Sequence, residues 1–262
     1  MSETPEELPK PARNAIDALA RTAHLLVASD FDGTMSEIVA VPSEARPDPD
    51  SLNALVELSS LPRTTVAVIS GRSLEVLHAL TGLGDSAHLV GSHGMEFDSH
   101  FEAGLSTEER ERLAEINRRA KTLVDRYPGV EIEQKPASTA IHFRHVATAV
   151  QPQVLLDIEA GPCEVDGAHV TAGKMVVEIA AVHTSKGAAL DRLRSQDGAS
   201  AVVFLGDDVT DEDAFVRLSG QDVGVKVGPG KTAAQVRISD TRSVARFLEL
   251  LAVRRRESLA SG

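Results

Sequence analysis

The sequence predicts an α/β protein in which a parallel sheet is covered on both faces by helices and a smaller α+β module is inserted. Three observations predict this. Apolar runs without polar alternation recur with helical patterns between them, as in Leu25-Leu26-Val27-Ala28, Thr65-Val66-Ala67-Val68-Ile69 and Ala201-Val202-Val203-Phe204-Leu205. Such runs mark strands buried on both faces. Between about residues 101 and 182 the pattern changes to long charged helices followed by paired short strands. A length of 262 residues suffices for one large domain or two modest ones.

Each element has its own signal. Residues 1–22 read as a flexible leader and first helix, the first dozen being rich in Glu and Pro. A strand over 25–29 precedes a helix over 48–59, where Leu52, Leu55, Val56 and Leu58 recur at helical spacing. A strand over 65–69, a helix over 74–80 and a strand over 88–90 follow. Near the other end come a helix over 186–193, a strand over 201–205, a helix over 211–218, a strand over 223–227 and a helix over 244–253. Strands separated by helices in this way form a parallel core over 23–100 and 183–262. The insert, 101–182, opens with a helix over 107–126 whose start, Ser106-Thr107-Glu108-Glu109, is of capping type. Strands over 131–134 and 140–143, a helix over 149–159, and strands over 163–165, 169–172 and 176–179 complete it. Arg254-Arg255-Arg256 is read as a favourable helix end.

Composition limits the function. Apolar residues make up 42% of the chain but aromatics only 3%, so Leu, Val, Ile and Ala fill the core. A net charge of -12 excludes a nucleic-acid binder, which needs a basic footprint. An anionic substrate then has to be drawn by a local cationic site. One cysteine, Cys163, excludes an internal disulfide and fits a reducing compartment. It lies in Gly161-Pro162-Cys163-Glu164 beside no obvious base and reads as a small apolar residue. No segment approaches the ~20 apolar residues of a membrane span, and no signal-peptide stretch opens the chain. The expectation is a cytoplasmic monomer without nucleic-acid or membrane partners.

Four candidate sites fall at the carboxyl ends of predicted core strands, where ligands bind in open parallel sheets. In Asp30-Phe31-Asp32-Gly33-Thr34, two acids one residue apart raise each other's pKa unless a cation or proton is shared. Gly33 permits a sharp turn and Thr34 adds a hydroxyl, so the loop can surround a small anion. The chemistry suggested is phosphoryl transfer to a carboxylate with a divalent cation between the charges; an acidic turn capping a helix is the plainer alternative. Ser70-Gly71-Arg72 places a hydroxyl, a permissive Gly and a cation at a helix start, as a phosphate site or as a helix cap. Lys186 opens a helix, where it clamps a phosphoryl oxygen or is merely solvated. Asp207, Asp208, Asp211, Glu212 and Asp213 crowd carboxylates that repel unless some bind metal and others cap or face solvent.

In this order (DxDGT, SGR, Lys, GDDxTDED) the set resembles the haloacid dehalogenase-like phosphatase superfamily, over roughly residues 23–98 and 183–250. The resemblance implies a Rossmann-like three-layer core and assigns roles. Asp30 is the nucleophile that forms an aspartyl-phosphate, and Asp32 the acid that protonates the departing oxygen and then activates water. Ser70 and Lys186 bind and neutralise the phosphoryl oxygens, with Gly71 and Arg72 in the same phosphate loop. Asp30, the backbone carbonyl of Asp32, Asp207 and Asp211 form the metal site; Asp208 has no settled role. Mg2+ fits because every ligand is an oxygen.

Three further patterns point to the substrate: Glu131-Ile132-Glu133-Gln134-Lys135 running to His142-Phe143-Arg144, Gly173-Lys174-Met175-Val176-Val177-Glu178, and His93-Gly94. Within the superfamily, E-x-K, H-[FY]-R and G-K-x-x-x-E in an αββαββ cap resemble the trehalose-6-phosphate phosphatases. The core motif also matches that family's usual DYDGTL, with Phe31 and Met35 as conservative departures. The resemblance implies a phosphatase of trehalose biosynthesis acting on a small-molecule sugar phosphate. Sugar contacts are then expected from His93, Glu133, Lys135, His142, Arg144, Lys174 and Glu178, since a site built to pair hydroxyls rejects analogues lacking them. His142 and Arg144 are expected to share one strand face. The plainer reading is solvated strand charges in cross-strand pairs, with His93 in a structural hydrogen bond. Rival functions are a phosphatase for another sugar phosphate such as sucrose 6-phosphate, a phosphomutase, and a non-catalytic sugar-phosphate-binding regulator of a synthase.

Overall fold

The computed structural model describes residues 7–39, 41, 44–97, 105–135, 137–173, 175–182 and 185–261. In chain order the first elements are α1 (Lys10–Leu19), β1 (Leu25–Ser29), α2 (Pro49–Ser60), β2 (Thr64–Ile69), α3 (Leu74–Thr81), β3 (His88–Gly91) and β4 (Glu96–Phe97). Next come α4 (Thr107–Arg126), β5 (Glu131–Gln134), β6 (Ser138–His142), α5 (Gln151–Glu159), β7 (His169–Gly173) and β8 (Val176–Ala180). The last are α6 (Lys186–Asp197), β9 (Ala201–Gly206), α7 (Val209–Phe215), β10 (Val223–Val227), β11 (Val236–Ile238) and α8 (Thr241–Ala260). Two compact units result: Met1–Phe101 with Ser185–Gly262, and Glu102–Thr184.

The first unit is the α/β fold that the sequence predicts. Its sheet runs β11-β10-β9-β1-β2-β3-β4, parallel except for β4, which pairs antiparallel with β3. β1 is buried along its whole length, and its last residue, Ser29, stands level with Leu205 of β9 and Val68 of β2. The residues that follow β9, β1 and β2 therefore meet at one edge. Alternate residues of these strands face opposite layers. Val27, Val66 and Val203 join Ile16, Leu55, Leu58, Phe247 and Leu251 of α1, α2 and α8 in one cluster. Phe204 faces the other way and meets Phe215 of α7 edge-on, with ring centroids 5.6 Å apart. Side-chain caps start the helices: Asp48 accepts from the Ser51 amide at 2.9 Å, and Ser185 from the Ala188 amide at 3.1 Å.

The second unit is a four-stranded antiparallel sheet, β5-β6-β8-β7, in the chain order αββαββ. Ile141, Val177 and Ile179 pack with Ile116, Ala120 and Leu123 of α4 and Val154 and Ile158 of α5. Ser106 and Glu109 form the reciprocal cap that the sequence announces at the start of α4.

Several expectations need correction. Leu8 is buried and α1 begins at Lys10, inside the stretch read as loose, because Pro11 is tolerated in a first turn and Ala12, Ile16 and Leu19 bury one stripe. Residues 162–164 form a 3-10 turn opened by Pro162, not a strand over 163–165. β6 ends at His142 and the chain turns, so Arg144 is exposed beyond the strand and shares no strand face with His142. β4 and β11, of two and three residues, are too short to leave a periodic signal.

The largest correction concerns the three arginines. α8 continues to Ala260, and Arg255 is fully buried. Its guanidinium donates to the carbonyls of Ala20 (3.2 Å), Thr22 (2.5 Å) and Arg63 (2.7 Å) and to the Thr64 hydroxyl (3.1 Å). It thus satisfies carbonyls left open after α1 and adds a second donor to the Arg63 carbonyl, which also accepts from the Leu25 amide. Arg255→Leu is expected to cost about 2 kcal/mol or more in urea unfolding, because the buried Ala20 carbonyl and the partly buried carbonyls of Thr22 and Arg63 lose a charged donor. Arg255→Lys should recover only part, since an ammonium lacks the planar fork. Arg256→Ala, at an exposed position, should leave the midpoint near wild type; equal losses at 255 and 256 would refute the clasp.

Burial, followed by Glu159 and Glu164, pushes the Cys163 thiol from its ordinary 9.0 up to about 11. Two pKa units remove about 99% of the thiolate at pH 8, and the greater nucleophilicity of a more basic sulfur returns part of that loss, so iodoacetamide should label Cys163 about tenfold more slowly than a free thiol. Labelling as fast as free cysteine would show the thiol to be activated.

Candidate active site

The edge where β9, β1 and β2 end is a cleft of about 510 Å3, lined by Asp30, Asp32, Ser70, Arg72, Lys186 and Asp207 among others. Lys186 is buried at its centre, with Nζ 2.7 Å from Asp30 Oδ1 and 2.7 Å from Asp211 Oδ1. Burial disfavours the ammonium, but Asp30 and Asp211 outweigh it and hold the Lys186 pKa above its ordinary value. Asp30 is pushed up to about 8, by burial first and by Asp211 in addition, against the pull of Lys186. Asp207 is raised by burial and by Asp211.

Asp30, Asp207 and Asp211 each offer a carboxylate oxygen, and the three oxygens lie within 4.8 Å of one another. Glycines make room for them. A Cβ on Gly33, whose φ is +79°, would sit 2.1 Å from Asp207 Oδ2, and one on Gly206 would sit 2.4 Å from Asp211 Cγ. An all-oxygen donor set with more negative charge than one lysine neutralises fits a hard divalent cation. The acidic run also serves local structure. Asp211 Oδ2 accepts from the Asp208 amide (2.9 Å), Glu212 from the Ala233 amide (2.8 Å) and Asp213 from the Gly187 amide (3.1 Å).

Arg72 departs from the sequence reading. Its guanidinium makes a two-pronged contact with Asp32, Nε to Oδ2 at 2.7 Å and NH2 to Oδ1 at 2.6 Å. The fork expected on a phosphate is thus engaged by the second acid of the DxDGT motif, which it holds at the side of the cleft. Ser70 is buried, and its hydroxyl accepts from the Arg72 amide at 3.2 Å. The His93 ring lies so close to Gly71 that a Cβ there would be 2.6 Å from it. Burial and Lys186 push the His93 pKa down, which favours the neutral ring.

Two groups were missed by reasoning from the sequence. Lys226 is buried in β10, and its ammonium donates to the carbonyls of Asp207 and Val227. The available signal was a cation inside the apolar run Val223-Gly224-Val225-Lys226-Val227. Ser138 is buried in β6 and donates to Glu178 Oε1 at 2.8 Å.

In the second unit, Glu133 and Glu178 both stand opposite Ala140, one from each side, on one face of the sheet. Lys135 Nζ is 3.2 Å from Glu178 Oε1, and His142 Nε2 is 3.2 Å from Glu133 Oε2. The structure thus gathers four of the expected sugar-binding residues on this face. Arg144 lies off it, His93 belongs to the first unit, and Lys174 falls outside the described residues.

A parallel sheet carrying buried acids and a lysine at its carboxyl edge defines the class, a phosphatase-like α/β fold. The model of the trehalose-phosphatase family matches residues 28–247. Trehalose-phosphate phosphatases of Mycobacterium avium (strain 104) and Mycolicibacterium paratuberculosis are 34% and 35% identical, over 87% of this chain and 62% of theirs. The chain therefore spans about six-tenths of the length of these curated relatives. Among solved structures, an Aspergillus fumigatus trehalose-6-phosphate phosphatase shares the fold with a TM-score of 0.61 and 23% identity, covering 95% of this chain and 100% of that one. The chain belongs to the trehalose-phosphatase family.

The Gly33 contact yields a test independent of catalysis. A divalent cation that binds only the folded state raises Tm with concentration. Mg2+ or Mn2+ is expected to raise the Tm of wild type, and Gly33→Ala, which forces Asp207 away, should lose most of that rise. A variant that gains as much as wild type would show that the carboxylates do not need this approach.

Proposed function

We propose that the chain is a phosphoric monoester hydrolase that releases phosphate from trehalose 6-phosphate through an aspartyl-phosphate on Asp30, with Mg2+ as its cation. The observation that carries this reading is the mostly buried cluster of Asp30, Asp207 and Asp211 with Lys186 between two of them. Family membership over residues 28–247 supports the choice of substrate.

Asp30 Oδ attacks phosphorus as the bond from phosphorus to the sugar oxygen breaks, and that oxygen takes a proton from Asp32. Water then attacks the aspartyl-phosphate, Asp32 takes its proton, and inorganic phosphate leaves with Asp30 regenerated. Lys186 and Ser70 hold the phosphoryl oxygens while charge moves onto them. Asp30, Asp207 and Asp211, with the carbonyl of Asp32, hold the cation, which neutralises the nucleophile and the phosphoryl group when bound. Burial and Asp211 both oppose ionisation of Asp30 and Lys186 favours it, so the attacking carboxylate depends on Lys186 and a cation together. Proton delivery by Asp32 requires that at least one of its oxygens leave the Arg72 fork.

We assign disaccharide recognition to Glu133, Lys135, His142 and Glu178, with Lys174 and His93 as further candidates. Paired acceptors and donors on one sheet face suit hydroxyl groups, and Lys135 and Ser138 hold Glu178 ready to accept.

Phosphate release from trehalose 6-phosphate, sucrose 6-phosphate and glucose 6-phosphate, with and without EDTA, tests the reading. Trehalose 6-phosphate should be preferred, and EDTA should abolish turnover until Mg2+ is restored. Asp30→Asn should lose at least about a thousandfold in kcat. Preference for another sugar sinks the substrate assignment, and full turnover by Asp30→Asn sinks the nucleophile.

A further inference from the structure

Ser92 and His93 are consecutive non-glycine residues with left-handed backbone, at φ values of 49° and 55°, and Gly94 follows at 104°. Side chains disfavour that region, and such strain persists only where the surroundings over-determine it. Here the Ser92 amide donates to the Arg72 carbonyl at 2.7 Å and the His93 amide to the Ser70 carbonyl at 2.9 Å. Glu96 adds a bridge through its side chain. Its Oε1 accepts from the Ser92 hydroxyl at 2.6 Å, and its Oε2 from the Leu74 amide, in the first turn of α3, at 2.8 Å.

The strained turn is tightly bounded on both sides. A Cβ on Gly91 would lie 2.5 Å from the Leu74 amide nitrogen, and one on Gly94 would lie 2.8 Å from the Ser185 carbonyl oxygen. The turn therefore fills the space between the Ser70 loop and the segment that opens α6 with Lys186. Its central side chain, His93, lines the cleft between them.

We propose that Glu96 is a positioning residue for the phosphoryl group: by clasping the strained turn to α3 it sets the spacing of Ser70, His93 and Lys186. Glu96 acts on the turn through its bonds to Ser92 and Leu74. The inference rests on the cleft being a phosphatase site.

The test uses the full chain with Mg2+ and three variants: Glu96→Ala, Ser92→Ala and Glu96→Gln. Their readouts are kcat and KM for trehalose 6-phosphate, Tm, and affinity for inorganic phosphate by calorimetry. Misplacement on the ångström scale costs up to about a hundredfold in rate. Glu96→Ala and Ser92→Ala should therefore lose about 10- to 100-fold in kcat and bind phosphate about tenfold more weakly, measured at least 10 °C below each Tm. Glu96→Gln keeps an acceptor for the Leu74 amide and offers its NH2 to the Ser92 hydroxyl, which then accepts instead of donating, and should retain most of both. A purely structural Glu96 would lower Tm while leaving kcat and phosphate affinity at wild-type values, and that result overturns the proposal. If Glu96→Ala does not fold, the other two variants decide. A wild type without turnover sinks the phosphatase reading instead, and phosphate affinity still tests the spacing.

Discussion

Three carboxylates close together at a mostly buried sheet edge form the constraint on which the rest of the structure depends. Burial and mutual repulsion both oppose their ionisation, and they hold the Asp30 carboxyl well above the usual carboxylate range. The surrounding sequence answers it piece by piece. Lys186 comes between Asp30 and Asp211 from the amino end of α6, and Lys226 reaches the carbonyl of Asp207 from β10. Gly33 and Gly206 surrender side chains so that Asp207 and Asp211 can approach. Each answer comes from a different element, so the sheet order that places β9, β1 and β2 side by side is what makes the cluster attainable.

The fold was legible where local and global signals agree. Continuous apolar runs at 25–28, 66–69 and 201–205 mark buried parallel strands because nothing in them suits a wet face. The Asp30 and Asp207 loops were legible because acids and glycines crowd directly after such runs. Interactions between distant positions were not. Nothing near Arg72 in sequence announces that its partner is Asp32, on the neighbouring strand's loop, so a phosphate was the natural expectation. Arg255 was hidden differently, since three arginines in a row look like a solvated helix end until the helix proves to continue past them. Lys226 and Ser138 sit inside apolar strands, where one polar residue is easily discounted although burial obliges it to find partners.

The insert shows the same divide between local and tertiary information. The cap of α4 and the order αββαββ follow from helix signals and short strands. The end of β6 does not, because Phe143 is apolar enough to extend the strand pattern and yet turns into the unit's core, leaving Arg144 outside.

The close approach of Gly94 to Ser185 has a consequence for chain entropy. It brings the residues just before the insert beside those just after it, so the core itself closes the loop from which the insert grows. Closure entropy rises only with the logarithm of loop length, and doubling the intervening chain costs about 0.6 kcal/mol. An insert of different size can thus be carried between the same two anchor points with the pairing of β1 and β9, and the carboxylate edge they build, left as they are.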